Sequence, residues 1–143
     1  MTRRSYRYRH LTTLAETSAA GTVYFCHYVC WQGRCRERFL ADHAPGVLGA
    51  LRDGTVVMVT LSTAMNYYAE CLAFEVIEVL MTPRAEAGNR VVLDFDFQRA
   101  DRLVARGTQT VRYLRRSAGG TLPAEIPAEL LRALGRFDSD EPV

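Results

Sequence analysis

The segment from residue 23 to residue 42 constrains the fold most, because it reads as one long and mostly apolar helix. At about 100° per residue, its aromatic and aliphatic side chains cover roughly half of the helix circumference. Glu37 falls on the opposite, polar half, whereas Gln32 and Arg36 interrupt the apolar half. Desolvating an unpaired guanidinium is costly. Arg36 must therefore have a buried partner, reach an edge of the core or line a ligand cleft.

Length and composition predict a single globular domain over residues 1–143. The chain is 48% hydrophobic, which is enough for a substantial core. Its net charge is only +2, and no basic stripe with interleaved aromatic residues runs along it, so nucleic-acid binding is not expected. No apolar run approaches the ~20 residues that cross a membrane. We therefore expect a cytoplasmic protein.

The four cysteines do not form a metal-binding pattern. Cys26, Cys30 and Cys35 lie on the predicted helix, no Cys-x2-Cys pair occurs, and the three histidines add no ligand spacing. We interpret all four, including Cys71, as buried free thiols. No metal or other cofactor is expected.

The remaining pattern predicts mostly strands. A first strand over residues 5–14 precedes the helix, and a short helical turn over 47–52 follows it. Further strands are predicted over 55–65, 72–81, 90–99 and 102–115, with Gly107 as a bulge or close-approach point. Residues 117–120 read as a loop and residues 127–136 as a terminal helix. One apolar helix followed by antiparallel strands is most simply buried by a sheet wrapped around it, which is the α+β hot-dog fold.

Several motifs resemble one family. They are Tyr6-Arg-Tyr-Arg-His10, Glu16-Thr17, Gly21-x-Val-Tyr-Phe25, Tyr28, Trp31-Gln-Gly-Arg-Cys-Arg-Glu37 and Leu93-Asp-Phe-Asp-Phe97. Together they resemble the thioesterases of enediyne polyketide pathways, in the 4-hydroxybenzoyl-CoA thioesterase branch of hot-dog proteins. The resemblance covers nearly the whole chain, and the string from Trp31 to Glu37 is its most specific part.

This resemblance implies an activity, a partner and an assembly. The expected reaction is hydrolysis of a long unsaturated beta-keto polyene thioester from the acyl carrier protein domain of an iterative polyketide synthase. The phosphopantetheine-linked acyl chain would lie in a channel, and the released beta-keto acid can lose carbon dioxide to leave a methyl ketone. Members of the family look like homotetramers, as dimers of dimers, with sites shared between protomers.

Two residues depart from the family pattern. The related 4-hydroxybenzoyl-CoA enzymes carry a carboxylate, and the enediyne members usually an Asn, where this chain has Ser18. An isolated hydroxyl is a weak nucleophile without a base, so Ser18 is expected either to position water or to cap its loop. Thr22 likewise replaces an Asn common in the family.

Without a carboxylate base, the expected chemistry is electrostatic. Free N–H groups near Val23 and Tyr24, at the start of the predicted helix, are expected to stabilise the oxyanion. Tyr28 and Arg36 match polar active-site residues of the family. They lie about 80° and ~12 Å apart on a helix, so they reach one carbonyl, act at opposite ends of the substrate, or come from different protomers. Gln32 lies between them and is a further candidate contact.

Three other sets of residues have open roles. Tyr67 and Tyr68 either line the acyl channel or cover the core or an interface. Arg3, Arg4, Arg7 and Arg9 suit an acidic carrier protein or the pantetheine phosphate, or else form a solvated strand edge. Glu37 is expected to be solvated or in an interface rather than a base.

Two other functions remain open at this point. A broader acyl-CoA thioesterase would use the same fold without preferring a carrier protein. A non-catalytic hot-dog module would bind and protect an acyl chain, and Ser18 in place of the usual amide keeps this alternative open.

Overall fold

One antiparallel sheet wraps around a long helix in the computed structural model, which describes residues 4–137. The helices are α1 (Cys26–His43), α2 (Pro45–Arg52) and α3 (Ala128–Gly135). The strands are β1 (Tyr6–Leu11), β2 (Val56–Tyr67), β3 (Val76–Ala87), β4 (Arg90–Arg99), β5 (Arg102–Ser117) and β6 (Gly120–Pro123). Their order in the sheet is β1-β3-β4-β5-β2, and β6 pairs with β5. The predicted hot-dog fold is therefore confirmed.

The core lies between α1 and the concave face of the sheet. Trp31, Cys35 and Phe39 of α1 are fully or almost fully buried, as are Phe95 and Phe97 of β4. Strand β4 alternates buried and half-buried residues along its length, which is the pattern of a strand with one face on a core. The apolar half of the predicted helix thus packs against the inward face of β4, as the helical period of about 3.6 and the strand period of two predict.

Several predicted bounds differ from the structure. The first strand, predicted over residues 5–14, ends at Leu11, because Leu14–Glu16 form a short 3-10 helix. Strand β3 begins at Val76 rather than at residue 72, because Leu72 and Phe74 form a turn that is hydrogen-bonded to Thr12. It continues beyond residue 81 through Pro83, where the register with β4 shifts and an irregularity accommodates the proline. Residues 117–120, predicted as a loop, end β5 and start the short strand β6.

Helix α2 is held beside α1 by α3. The Glu129 carboxylate of α3 accepts the backbone N–H groups of Gly46 (3.0 Å) and Val47 (2.8 Å), which lie in the first turn of α2. These contacts satisfy donors that a helix start leaves free, and a negative charge is favourable there. Helix α2 therefore has a fixed position from which it forms one wall of the pocket described below. Within residues 4–137, no helix combines the length and apolarity needed to cross a membrane.

Candidate active site

The start of α1 differs from the sequence prediction in a way that matters for chemistry. The helix begins at Cys26, because Thr22 and Val23 form isolated β-bridges instead of helical turns. The N–H of Val23 donates to the Cys71 carbonyl (2.8 Å), and that of Tyr24 donates to the Glu16 carbonyl (2.9 Å). The prediction that these two N–H groups are free is therefore wrong. Among residues 4–137, the N–H groups of Phe25 and Cys26 have no carbonyl partner, so the free donors lie two residues later than predicted.

Ser18 lies in a tight turn just before this helix. Its N–H donates to the Thr22 carbonyl (2.8 Å), its carbonyl accepts from Gly21 (2.9 Å), and its Oγ accepts from the Ala20 N–H (3.3 Å). Gly21 has a φ of 85°, which glycine adopts without strain. The hydroxyl thus caps its own loop. Within the described part of the chain it has no hydrogen bond to a base, to Tyr28 or to Arg36.

Tyr28 is buried in an aromatic cluster near the start of α1. Its ring packs at 4.8 Å from that of Trp31 and at 5.1 Å, edge to face, from that of Tyr67. Burial, with the neighbouring Cys71 thiol as a smaller cause, raises the pKa of Tyr28 well above its usual range. The hydroxyl is protonated at neutral pH, and its hydrogen-bond partner is the Cys71 thiol. Tyr67 donates its own hydroxyl to the Phe25 carbonyl (2.9 Å), whereas Tyr68 is 54% exposed.

Tyr28, Gln32 and Arg36 form one stripe along α1, because they are spaced four residues apart. The stripe faces β2, which runs in the opposite direction. The contacting pairs are Tyr28 with Tyr67, Gln32 with Thr63 and Arg36 with Thr60. We call this contact the polar seam. It brings together four of the residues predicted from the sequence: Tyr28, Gln32, Arg36 and Tyr67.

Gln32 is fully buried at the centre of the polar seam. Its Oε1 accepts from the Thr63 hydroxyl (2.9 Å) and from Gln109 Nε2 (3.4 Å). Its Nε2 lies 3.0 Å from the Met65 sulfur. The amide fits only because Gly107 of β5 has no side chain: a Cβ there would come within 2.5 Å of Gln32 Nε2. Gly107 is thus the close-approach point that the sequence indicated.

Gln109 of β5 was not predicted from the sequence, although it joins the two polar residues of α1. It is only 3% exposed and accepts a hydrogen bond from Arg36 Nη1 (2.8 Å) while donating to Gln32. Residues 105, 107, 109, 111 and 113 of β5 are all buried, so an amide at 109 lies on the core face of this strand. The period of two along β5 was the signal that could have identified it.

Arg36 is half-buried, and its hydrogen-bond partners are neutral. Besides Gln109, its Nη1 donates to the Thr60 hydroxyl (3.2 Å), and no carboxylate among residues 4–137 forms an ion pair with it. Burial lowers the pKa of Arg36, but a guanidinium stays charged at any physiological pH. The side chain lines an open pocket of about 540 Å³ between α1, α2 and β2. The sequence left three alternatives for Arg36: a buried partner, an edge of the core or a ligand cleft. The structure shows two of them, because Arg36 has a neutral buried partner in Gln109 and also lines a cleft.

Glu16 is a second buried polar centre, and its role was not predicted from the sequence. Its carboxylate lies 2.8 Å from His10 Nε2, accepts from Trp31 Nε1 (2.7 Å) and accepts the Thr13 N–H (2.9 Å). Burial raises the pKa of Glu16, but the hydrogen bonds from His10, Trp31 and Thr13 outweigh it and lower the pKa overall. Because Glu16 also accepts the Tyr24 N–H through its backbone, it ties the Ser18 loop to α1.

The cysteines are free thiols, but only two are buried. Cys35 and Cys71 lie in the core as expected, whereas Cys26 and Cys30 are exposed. The prediction was wrong for this pair, because both point away from the face of α1 that packs on the sheet. Across residues 4–137, no three His, Cys, Asp or Glu side chains are grouped so as to hold a metal ion.

The basic N-terminal segment lies on an exposed edge. Arg4, Arg7 and Arg9 are exposed, and Arg7 pairs with Glu78 of β3 (2.9 Å); Arg3 lies outside the described residues. Glu37 is exposed, as expected for the polar half of α1.

The fold and the family comparison together define the class of protein. The chain belongs to the thioesterase-like superfamily, whose family model matches residues 12–134, and it is a thioester hydrolase. Among particular relatives, the dynemicin thioesterase is 47% identical, with a TM-score of 0.91 over 96% of this chain and 99% of that one. Crystal structures of that protein revealed induced-fit and allosteric effects upon polyene binding. The resemblance to enediyne thioesterases is therefore confirmed.

Two more distant relatives have other substrates. The 1,4-dihydroxy-2-naphthoyl-CoA hydrolase of Microcystis aeruginosa (strain NIES-843 / IAM M-2473) is 24% identical over 134 residues, which are 94% of this chain and 96% of that protein. The 4-hydroxybenzoyl-CoA thioesterase of Pseudomonas sp. strain CBS-3 shares the fold at 14% identity, with a TM-score of 0.79 over 91% of this chain and 99% of that one. Membership of this superfamily favours an enzyme over a non-catalytic acyl-binding module.

Proposed function

We propose that this thioesterase hydrolyses a long, unsaturated beta-keto polyene thioester carried by the acyl carrier protein domain of an iterative polyketide synthase. The observation that carries the proposal is the charged Arg36, held by neutral partners in the polar seam beside an open pocket. The 47% identity to a thioesterase that binds a polyene supports the substrate class. The released beta-keto acid can then lose carbon dioxide to give a methyl ketone polyene.

The oxyanion is stabilised at the start of α1. Water adds to the thioester carbonyl, and the N–H groups of Phe25 and Cys26 donate to the oxygen that becomes negative. Each donor of this kind typically contributes about 3 kcal/mol. The Tyr28 hydroxyl is a third donor on the same helix once the substrate replaces the Cys71 thiol as its partner. Ser18 caps its loop by accepting a single hydrogen bond at Oγ, which leaves its O–H free to position the attacking water.

Arg36 acts at a different point from the oxyanion donors. On a helix it lies about 12 Å further along the axis than Tyr28, so the two side chains contact different parts of the substrate or substrates of different protomers. A guanidinium that is not neutralised stabilises the negative charge of an enolate or a carboxylate. The uncompensated positive charge of Arg36 therefore allows the site to act on a beta-keto thioester, although position 18 carries no carboxylate base.

The remaining predicted residues bind the acyl chain and the carrier. Thr22, Val23 and Tyr24 shape the entrance before α1, and Tyr67 and Tyr68 border it from the end of β2. The exposed Arg4, Arg7 and Arg9 suit the acidic surface of a carrier protein. The active unit is a homotetramer, arranged as a dimer of dimers in which partner protomers complete each site.

Co-expression tests this function in its natural context. The chain is produced together with a cognate iterative polyketide synthase, and released products are identified by mass spectrometry. Free polyene that accumulates only when the thioesterase is present supports the proposal. Equal polyene release in its absence would overturn it.

A broader acyl-CoA thioesterase is the second candidate, favoured by the similarity to a 1,4-dihydroxy-2-naphthoyl-CoA hydrolase. The two candidates differ in the carrier that they require. Hydrolysis rates are compared for one acyl chain attached either to CoA or to a holo acyl carrier protein. Faster turnover on the carrier protein supports the first proposal, and faster turnover on CoA without any carrier preference supports the second.

A further inference from the structure

The Tyr28 hydroxyl is held by a sulfur atom. Among residues 4–137, its hydrogen-bond partner is the Cys71 thiol, and both side chains are buried, Tyr28 to 3% exposure and Cys71 completely. Burial raises the pKa of Cys71, so the thiol is uncharged at neutral pH. A neutral sulfur is a weak hydrogen-bond acceptor. The hydroxyl is therefore held in one direction by a partner that a stronger acceptor can displace.

The backbone of Cys71 lies directly against the segment that precedes α1. Its carbonyl accepts the Val23 N–H (2.8 Å), and the next residue, Leu72, forms a β-bridge with Thr22. These contacts tie residues 71 and 72 to the turn that leads to the free N–H groups at the start of α1. The sulfur consequently keeps a fixed position relative to those donors.

Arg99, the last residue of β4, fastens the same loop from the other side. Its Nη1 donates to the Glu70 carbonyl and lies 3.4 Å from Glu75 Oε1, and its guanidinium also forms a hydrogen bond with the Cys71 sulfur. The same Glu75 oxygen accepts the Leu72 N–H (2.6 Å). The chain is thus held on both sides of Cys71, and so is its side chain.

We infer that Cys71 is a positioning residue for Tyr28, and that its sulfur holds the hydroxyl until a thioester binds and then releases it. A carbonyl oxygen that is gaining negative charge is a much stronger acceptor than a neutral thiol, so the hydrogen bond moves to the substrate. No bond to the sulfur forms or breaks in this exchange. The inference rests on the donor role that the proposed function gives to Tyr28.

A double-mutant cycle tests this role. The substrate is a beta-ketodecanoyl thioester of CoA or of holo acyl carrier protein, whichever wild type hydrolyses faster. Cys71→Ser replaces the sulfur by oxygen, a stronger acceptor that the substrate must displace, so kcat/KM should fall about five- to tenfold. In a Tyr28→Phe background the same substitution should change kcat/KM by less than about twofold, because no hydroxyl is left to hold.

Cys35→Ser is the matched control. Cys35 is also fully buried, but its thiol donates to the Val79 carbonyl (4.0 Å). This variant should keep the wild-type kcat/KM, and circular dichroism checks the fold of every protein in the series. Cys71→Ala covers the case in which Cys71→Ser does not fold. It removes the acceptor, so kcat/KM should again fall only where the Tyr28 hydroxyl is present.

The outcomes separate this inference from the proposed function. An unchanged kcat/KM for folded Cys71→Ser, or equal losses in both backgrounds, would show that Cys71 only packs its loop. Either result would overturn the inference and leave the proposed function intact. Wild-type turnover by Tyr28→Phe alone would overturn the donor role of Tyr28 in the proposed function, and the inference with it.

Discussion

Arg36 is the residue at which stability and activity conflict. Its half-buried charge has no carboxylate partner among the described residues, and burial lowers its pKa, which shows that the charged form is disfavoured there. Replacing Arg36 alone by an apolar residue removes this desolvation cost but leaves the buried Gln109 Oε1 without its donor, so the two effects oppose each other. A residue like Arg36 is expected where a protein retains a charge for its chemistry.

We predict that Arg36→Met folds with a melting temperature close to that of wild type and loses product release. The apolar side chain removes the desolvation cost but cannot stabilise negative charge. Thermal unfolding and thioester turnover are measured on the same preparation. A lower melting temperature together with retained turnover would show that Arg36 is structural.

The hydrogen-bonded carboxylate of Glu16 makes stability depend on pH. Its pKa in the folded protein lies below the ordinary value of 4.5, so the unfolded chain binds the proton more readily. The resulting stabilisation is fully present above 4.5 and is lost as the pH falls through the folded-state pKa.

Glu16→Gln should therefore lower the free energy of unfolding at neutral pH by about 2 kcal/mol, the usual scale for hydrogen bonds to a charged group. The difference from wild type should shrink as the pH falls through the acid range. Denaturant unfolding at a series of pH values measures it. A difference that stays constant at all pH values would contradict the assigned role of the carboxylate.

At the scale of elements, the close approach of α1 and β5 depends on Gly107. A Cβ at this position would lie 2.6 Å from the Ala64 carbonyl oxygen and 2.5 Å from Gln32 Nε2, so both β2 and the polar seam would have to move. Backbone atoms cannot yield as a flexible side chain can.

Gly107→Ala should destabilise the protein by about 1–3 kcal/mol, as overpacking usually does, and should reduce turnover by displacing Gln32. Gly49→Ala is the control, because Gly49 lies in α2 with nothing within 4 Å of a Cβ. Alanine favours a helix over glycine by about 1 kcal/mol, so this variant should be slightly more stable. Similar denaturation midpoints for the two variants would contradict the close packing at Gly107.

The elements were largely predictable from the sequence, and the ends of some were not. Period-two alternation identified β4, and the apolar stripe of α1 identified the helix that the sheet covers. The start of α1 was misplaced because Thr22 and Val23 are recruited into bridges with Leu72 and Thr17, contacts that local periodicity does not encode. The free N–H donors therefore lie at Phe25 and Cys26 rather than at the predicted Val23 and Tyr24.

The candidate site was predictable only in part, for a similar reason. Tyr28, Gln32 and Arg36 share one helix, so their spacing alone places them on one stripe. Their partners Thr60, Thr63 and Gln109 come from β2 and β5, more than 20 residues away along the chain. Strand register, which the sequence did not supply, decides which of these side chains meets Arg36.

At the scale of the whole molecule, β2 is an edge strand with apolar residues. It is the last strand in the sheet order and spans 12 residues, and Val59 and Leu61 are 37% and 43% exposed. A long edge strand of this kind is a template for pairing with another chain. It is the surface that we expect to join two protomers within the proposed tetramer.

Light scattering should give the mass of an oligomer for wild type and a smaller mass for Leu61→Asp, because the added charge is unfavourable in an interface. Leu122→Asp is the matched control, since Leu122 is also 43% exposed but lies on β6. The control should keep the wild-type mass. A monomeric wild-type protein, or equal masses for all three proteins, would contradict this assembly.

In the proposed mechanism, Arg36 is required for product release from a beta-keto acyl thioester. The most direct measurement is the rate at which free thiol appears when a holo acyl carrier protein loaded with a beta-keto acyl chain is mixed with wild type or with Arg36→Ala. We predict rapid release by wild type and a rate close to that of the uncatalysed reaction for Arg36→Ala, with the fold preserved by circular dichroism. Release by a folded Arg36→Ala protein at the wild-type rate would contradict the account.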